Sequence, residues 1–232
     1  MRHEGAAVEA RALSDEQRET ALKLVAKYPN PRSAILPLLF LVQSVEGYVT
    51  ETGMREVAGI IGLEPAQVLA TASFYTMLKK APQGDYLISV CRNIACTHLG
   101  GRKVIAALED RLGVTAGETT EDGKFTLESA ECLATCDGAP SLQVNYEDFY
   151  RMSAVEAVAL VGRLERGEQV TSFRGEAVKS AREISYETAV AGLQAPGTAG
   201  ELSERTIGGE SPRSDTAPGT RPKETGEGSP NA

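Results

Sequence analysis

The sequence predicts a mixed α/β protein in three parts: a helical bundle over 14–82, an α/β domain over 84–167 and an extended, largely disordered tail over 168–232. Three observations predict it. Apolar residues recur at helical spacing as far as Lys80, short strand-like runs alternate with helices from Gly84, and bulky apolar residues become scarce after Gly167. In the first part, Ser14-Asp15-Glu16-Gln17 reads as a capping box opening a helix toward Tyr28, where Pro29 and Pro31 stop it. Ser33 is expected to cap a second helix, with Pro37 in its first turn, where a missing N–H costs little, and Gly47 at its end. Ile35, Leu36, Leu38, Leu39, Phe40, Leu41 and Val42 make that helix apolar on most faces, so it should be the buried centre of the bundle. A third helix is expected over 54–61, stopped by Gly62. Glu64-Pro65 opens a fourth that carries Val68, Leu69, Ala72 and Tyr75 at helical spacing.

The period then changes. Asp85 to Val90 reads as a strand running into Cys91, and a Gly-initiated helix follows from about Leu99 to Leu112. Phe125 to Ala130 is a second strand and Ser141 to Tyr146 a third. Phe149 to Met152 should be its hairpin partner across a Glu147-Asp148 turn, and Ser153 caps a last helix that stops at Gly167. The order is βαβββα. Beyond it, Val170, Phe173, Val178, Ile184 and Tyr186 are expected to lie across a surface. From Gly192 onward, 41 residues hold 8 Gly and 5 Pro with only Leu193, Leu202 and Ile207 as bulky apolar groups, a composition that predicts disorder.

Composition narrows the function. The 232 residues carry Asp+Glu 32 against Lys+Arg 24, a net charge of −8, which argues against a general nucleic-acid binder. The longest apolar stretch, Ala34 to Val42, is broken by Pro37 and too short to cross a bilayer. The opening residues mix both charge signs without an apolar run, so a cytoplasmic protein is expected, with any membrane association made through partners.

The four cysteines, Cys91, Cys96, Cys132 and Cys136, are the informative residues. In a reducing compartment such clustering points to metal binding or redox chemistry. Both pairs begin right after a predicted strand. If those strands belong to one right-handed βαβ unit they are parallel, their C-terminal ends share an edge, and four thiols are expected to converge there. Structural zinc sites favour tighter Cys-x2-Cys clasps, whereas the x4 and x3 spacings suit loops folded over a larger [2Fe–2S] cluster with one pair per iron. Zinc and redox-active thiols remain the alternatives on spacing alone. The loops 92–95 and 133–135 would offer backbone N–H donors to an anionic cluster, and the helix starting near Leu99-Gly100 would aim its positive end there.

Val90-Cys91-Arg92-Asn93-Ile94-Ala95-Cys96, together with Cys132-Leu133-Ala134-Thr135-Cys136-Asp137-Gly138-Ala139-Pro140, resembles the thioredoxin-like [2Fe–2S] ferredoxin family. Ala72-Ser73-Phe74-Tyr75-Thr76-Met77-Leu78 and the bundle before it are similar to the E-subunit branch of that family, from bacterial NADH:quinone oxidoreductase (respiratory complex I). The match runs over about 14–167 and leaves out the tail. The resemblance implies a thioredoxin-like domain and one [2Fe–2S] cluster at Cys91, Cys96, Cys132 and Cys136. It also implies tight pairing with the FMN-containing, NADH-binding subunit, with FMN and NADH held on that partner. The chain would then work as part of an oxidoreductase (a quinone-reducing translocase), peripheral to the inner face of the plasma membrane.

Other residues invite sharper roles. His98 follows Cys96 by two residues, but four cysteines complete a site, so it is read as a neighbour rather than a ligand. Leu99-Gly100-Gly101-Arg102 lacks the spacing of a dinucleotide or P-loop and is read as a close approach of helix to cysteine loop. Pro140 is a candidate cis-proline. Phe74, Tyr75, Met77 and Leu78 are read as helix-core packing, with an interface stripe as the alternative. No nucleotide fingerprint, flavin motif or nucleophile with a partnered base is present, so hydride chemistry is expected on a partner and none from the isolated chain. Rival readings are the small subunit of an NAD-linked hydrogenase or formate dehydrogenase, a zinc-binding interaction domain, and a dithiol oxidoreductase, which lacks the Cys-x2-Cys it would need.

Overall fold

A computed structural model describes residues 11–193. The expected tail from Gln194 onward therefore lies outside the described residues. The N-terminal layer holds α1 (Asp15–Val25), α2 (Ile35–Glu46), α3 (Glu51–Ile61) and α4 (Pro65–Phe74). Local chemistry sets their starts. Ser14 and Gln17 form the expected reciprocal capping box on α1, and Glu64 with Gln67 forms another on α4, behind Pro65. α3 begins three residues before its expected start, because Thr50 Oγ1 accepts the Gly53 N–H at 2.9 Å and pulls the first turn back. Ser33 does not cap α2. Asn30 Oδ1 instead accepts the Arg32 N–H at 3.0 Å, and a 3-10 turn over Pro31–Ala34 feeds directly into the helix. α4 ends at Phe74, so Tyr75 is extended and exposed rather than part of a helical stripe.

Leu24, Leu38, Leu39, Leu41, Val42, Val57, Val68, Ala72 and Leu78 bury a common core. Gly53 lets α3 sit against α2, since a Cβ there would collide with Val42 Cγ1. Gly53→Ala should therefore overpack this contact and destabilise by about 1–3 kcal/mol, read by denaturant unfolding. An unchanged midpoint would mean that the two helices can part without cost. Among the described residues no single helix is long and apolar enough to cross a membrane. The bent α3–α4 pair owes its apolar character to this core.

The α/β part contains β1 (Tyr86–Cys91), α5 (Ile94–His98), α6 (Gly101–Leu112), β2 (Phe125–Ala130), β3 (Leu142–Val144), β4 (Glu147–Phe149) and α7 (Ala154–Glu165). The sheet order is β2-β1-β3-β4. β1 and β2 run parallel from Tyr86↔Phe125 to Cys91↔Ala130, while β3 pairs antiparallel with both β1 and β4. The helix expected from about 99 to 112 is α6, which begins at Gly101, and the short α5 precedes it; Gly100 between them has a φ of 110° that only glycine adopts freely. The hairpin turn also moves. It lies at Asn145-Tyr146, both with positive φ, so Glu147 and Asp148 belong to β4. Asn145 suits the turn because its buried side chain is fully engaged: Oδ1 accepts the Leu87 N–H, and Nδ2 donates to the Asp85 and Lys179 carbonyls at 2.8 and 2.7 Å. The Ala139–Pro140 bond is cis.

Alternation along the strands builds three layers. Ile88, Val90, Phe125 and Leu127 join Val104 and Leu108 of α6 and Leu160, Val161 and Leu164 of α7 in a second core. On the opposite face, Leu87 and Tyr146 line a small cavity with Gln43, Lys79 and Ser185, so the helical layer covers that side.

Residues 181–190 overturn the expectation of an extended tail from 168. They form α8 (Ala181–Val190), opened by a Ser180/Glu183 capping box and laid along α2. Gln43 Nε2 donates to Ser185 Oγ at 3.0 Å and to the Met77 carbonyl at 3.1 Å, while its Oε1 accepts the Lys79 N–H at 2.8 Å. Arg182 donates to the Val45 carbonyl, and Ala189 is buried with the first core. The chain thus leaves the helical layer, builds the sheet and returns to complete that layer.

Candidate metal centre

The parallel pairing of β1 and β2 puts both cysteine loops at one sheet edge, as the strand–helix–strand order requires. Cys91 ends β1 and Cys96 sits in α5; Cys132 lies just past β2 and Cys136 opens a 3-10 turn over Cys136–Gly138. All four thiols are free. Cys91 and Cys96 are buried, and Cys132 and Cys136 are exposed. Among the described residues no three His, Cys, Asp or Glu side chains gather as closely as one metal ion would need.

Backbone and small polar side chains tie the two loops together. The Arg92 N–H donates to the Ala130 carbonyl at 2.9 Å, and Arg92 pairs with Glu131 across the loops. Ser141 is the joint between them. Its carbonyl accepts the Cys91 N–H at 3.2 Å, while its hydroxyl lies 3.7 Å from Cys96 Sγ and 2.5 Å from Thr135 Oγ1. In the second loop Ala134, at φ 57°, turns its N–H toward Cys132 Sγ at 3.4 Å. Gly101 is the close approach expected of the Gly-Gly step: a Cβ there would meet the Cys91 and Cys96 carbonyl oxygens at 2.8 and 2.9 Å. His98 is exposed at the end of α5. Tyr150 lies on Gly138, and its hydroxyl pKa is raised by burial first, then by the Asp148 and Asp137 carboxylates.

Ser141 and Tyr150, with the side-chain bond of Thr135 and the packing on Gly138, are what sequence reasoning missed. Their only signal was position: small groups flanking Ala139-Pro140, and an aromatic where the chain passes back beside that turn.

A sheet of this order, with a cysteine pair after each of two parallel strands, defines a thioredoxin-like ferredoxin. The thioredoxin-like [2Fe–2S] ferredoxin family model matches residues 21–165, more than half of the chain, and the chain belongs to that family. Within it, the sequence is 42% identical over 165 residues to the E subunit of the Mycobacterium tuberculosis NADH-quinone oxidoreductase, covering 71% of this chain and 66% of that one. It is 37% identical to the second E subunit of Rhizobium meliloti, over 67% of this chain and 92% of the relative. It is 34% identical to subunit 2 of the Thermus thermophilus enzyme, over 67% and 88%. The chain thus spans about two thirds of its mycobacterial relatives. Among solved structures, an NAD+-reducing [NiFe]-hydrogenase in the H2-reduced state shares the fold, with a TM-score of 0.50 and 22% identity over 56% of this chain and 22% of that one.

Proposed function

We propose that this chain is the electron-transfer subunit of an NADH:quinone oxidoreductase. Cys91, Cys96, Cys132 and Cys136 would hold one [2Fe–2S] cluster beside the FMN of an NADH-binding partner. The observation that carries the reading is the placement of two free cysteine pairs directly after neighbouring parallel strands, joined through Ser141. Two pairs on facing loops suit two irons with two thiolates each better than one tetrahedral ion. The Ala134 N–H directed at Cys132 Sγ is the kind of donor an anionic thiolate centre uses. When bound, such a cluster supplies one-electron transfer.

The chain's own residues divide the remaining work. Cys91 and Cys96 lie out of water between the strand end and α5, so they anchor the inner side. Cys132 and Cys136 face outward, toward an incoming donor. On the first cysteine loop and at the end of α5, Ile94 and Leu99, 75% and 63% exposed, leave apolar surface in water where a flavoprotein would dock. Attachment to the inner face of the plasma membrane would come through that partner and the rest of the complex.

The test is division of labour. NADH should leave the visible spectrum of the isolated chain unchanged and bleach it once the FMN-containing subunit is added, with the two co-purifying. Arg92→Glu, at the loop edge, should slow association with that partner and alter its salt dependence without removing a ligand. Bleaching of the isolated, flavin-free chain by NADH would overturn the reading.

A further inference from the structure

The two cysteine pairs are not equally supported. Cys91 and Cys96 are buried in a strand and a helix, whereas Cys132 and Cys136 are exposed on a loop whose one regular feature is a 3-10 turn. That loop is backed by residues 150–152. The Arg151 N–H donates to the Gly138 carbonyl at 2.7 Å, and the Met152 N–H to the Pro140 carbonyl at 2.8 Å. The Tyr150 ring lies flush on the turn itself, since a Cβ on Gly138 would collide with its Cγ and Cδ2. Tyr150 in turn stacks on Phe173, with ring centroids 4.2 Å apart and planes 19° from parallel.

Phe173 comes from beyond the family-matched residues 21–165. It sits at the tip of a small hairpin closed by the Val178 N–H to the Val170 carbonyl at 2.9 Å, a Thr171↔Ala177 bridge, and the Ser172 N–H to the Glu176 carbonyl at 2.8 Å. Its own N–H donates to the Asp148 carbonyl at 2.8 Å, and Arg174 Nε lies 3.8 Å from Asp148 Oδ2. These backbone bonds hold position 173 beside Tyr150 whichever side chain it carries. Phe173 is 58% exposed, so folding gains little from burying it. An exposed aromatic held by backbone bonds against a ring that backs a ligand turn is placed to act on that turn.

Resting on the electron-transfer reading above, we propose that Phe173 is a positioning residue for the second cysteine pair. Stacked on Tyr150, it holds that ring against Gly138 and so keeps the turn bearing Cys136 in place. It touches no ligand atom and acts through Tyr150 alone.

The test uses the full chain with Phe173→Ala, and Phe173→Trp as the variant that keeps the stack. Hydrogen exchange at the Gly138 and Ala139 amides, measured on both metal-free and iron-loaded protein, reads the turn directly. Phe173→Ala should speed exchange there by about twofold to tenfold, the worth of one aromatic pair. Exchange in β1 should not move, and Phe173→Trp should behave as the parent. In iron-loaded protein, loss of iron to a ferrous chelator should be up to roughly tenfold faster in Phe173→Ala, with shifted g-values in the reduced state. Unchanged exchange at Gly138 and Ala139 in the metal-free Phe173→Ala protein overturns the brace, whatever metal the parent carries. Faster exchange spread equally through β1 overturns it too, because Phe173 would then serve stability alone. A parent chain without iron and sulfide instead overturns the electron-transfer reading and leaves the exchange result to judge the brace.

Discussion

Anaerobically purified protein is expected to contain about two irons and two acid-labile sulfides per chain, with a brown absorption that dithionite bleaches. Replacing any one of Cys91, Cys96, Cys132 or Cys136 with Ala should abolish the cluster or leave it too labile to survive purification. The structure orders the severity. Cys96→Ala takes a buried sulfur from beside the Ser141 hydroxyl, at a position that an added thiol cannot reach from solvent. Cys132→Ala removes an exposed sulfur that solvent or an added thiol can replace. Exogenous thiol should thus rescue part of the iron content in Cys132→Ala and none in Cys96→Ala. One zinc per chain and no sulfide would sink the assignment and favour a zinc-binding interaction domain.

Ending the chain at Gly167 should cost far more than ending it at Leu193. The shorter form loses α8, so Leu41, fully buried beside Arg182 and Tyr186, becomes accessible, at about 1.5–3 kcal/mol for one such side chain. Gln43 loses Ser185 and Asn145 loses the Lys179 carbonyl, at about 1 kcal/mol each. Together these correspond to a fall in melting temperature of roughly 10 °C, measurable by calorimetry. A chain ending at Leu193 keeps every one of these contacts and should melt with the full-length protein. Equal melting of all three forms would show that the return of the chain onto α2 contributes nothing.

That return also shows where sequence reading runs out. α8 presents small groups to its neighbour, Ser185 and Ala189, while Tyr186 stays half in water. A helix that buries small residues has no bulky stripe, so its periodicity is faint. Its docking depends on Gln43, 142 residues earlier. The misplaced hairpin turn has a similar cause. Glu147-Asp148 looks like a turn by composition, yet the positive φ values fall at Asn145-Tyr146 because Asn145 has buried partners on β1 and at Lys179. The missed cap on α2 is local: Asn30 ahead of Pro31 competes with Ser33 and wins by forming a 3-10 turn.

By itself the sequence determined the strand–helix–strand frame, the two cysteine pairs and their placement after β1 and β2. These follow from short-range rules: apolar period, capping chemistry, glycine stops and the handedness of a parallel crossover. Only the tertiary structure decided that one cysteine pair is buried and the other exposed, and that Ser141 joins the loops. It also decided that Tyr150 backs Gly138 and that residues 181–190 close the helical layer. Each of these depends on contacts between residues far apart in the chain or on which side of a packed layer a group falls. Such contacts are chosen by the fit of whole surfaces, which no local pattern encodes.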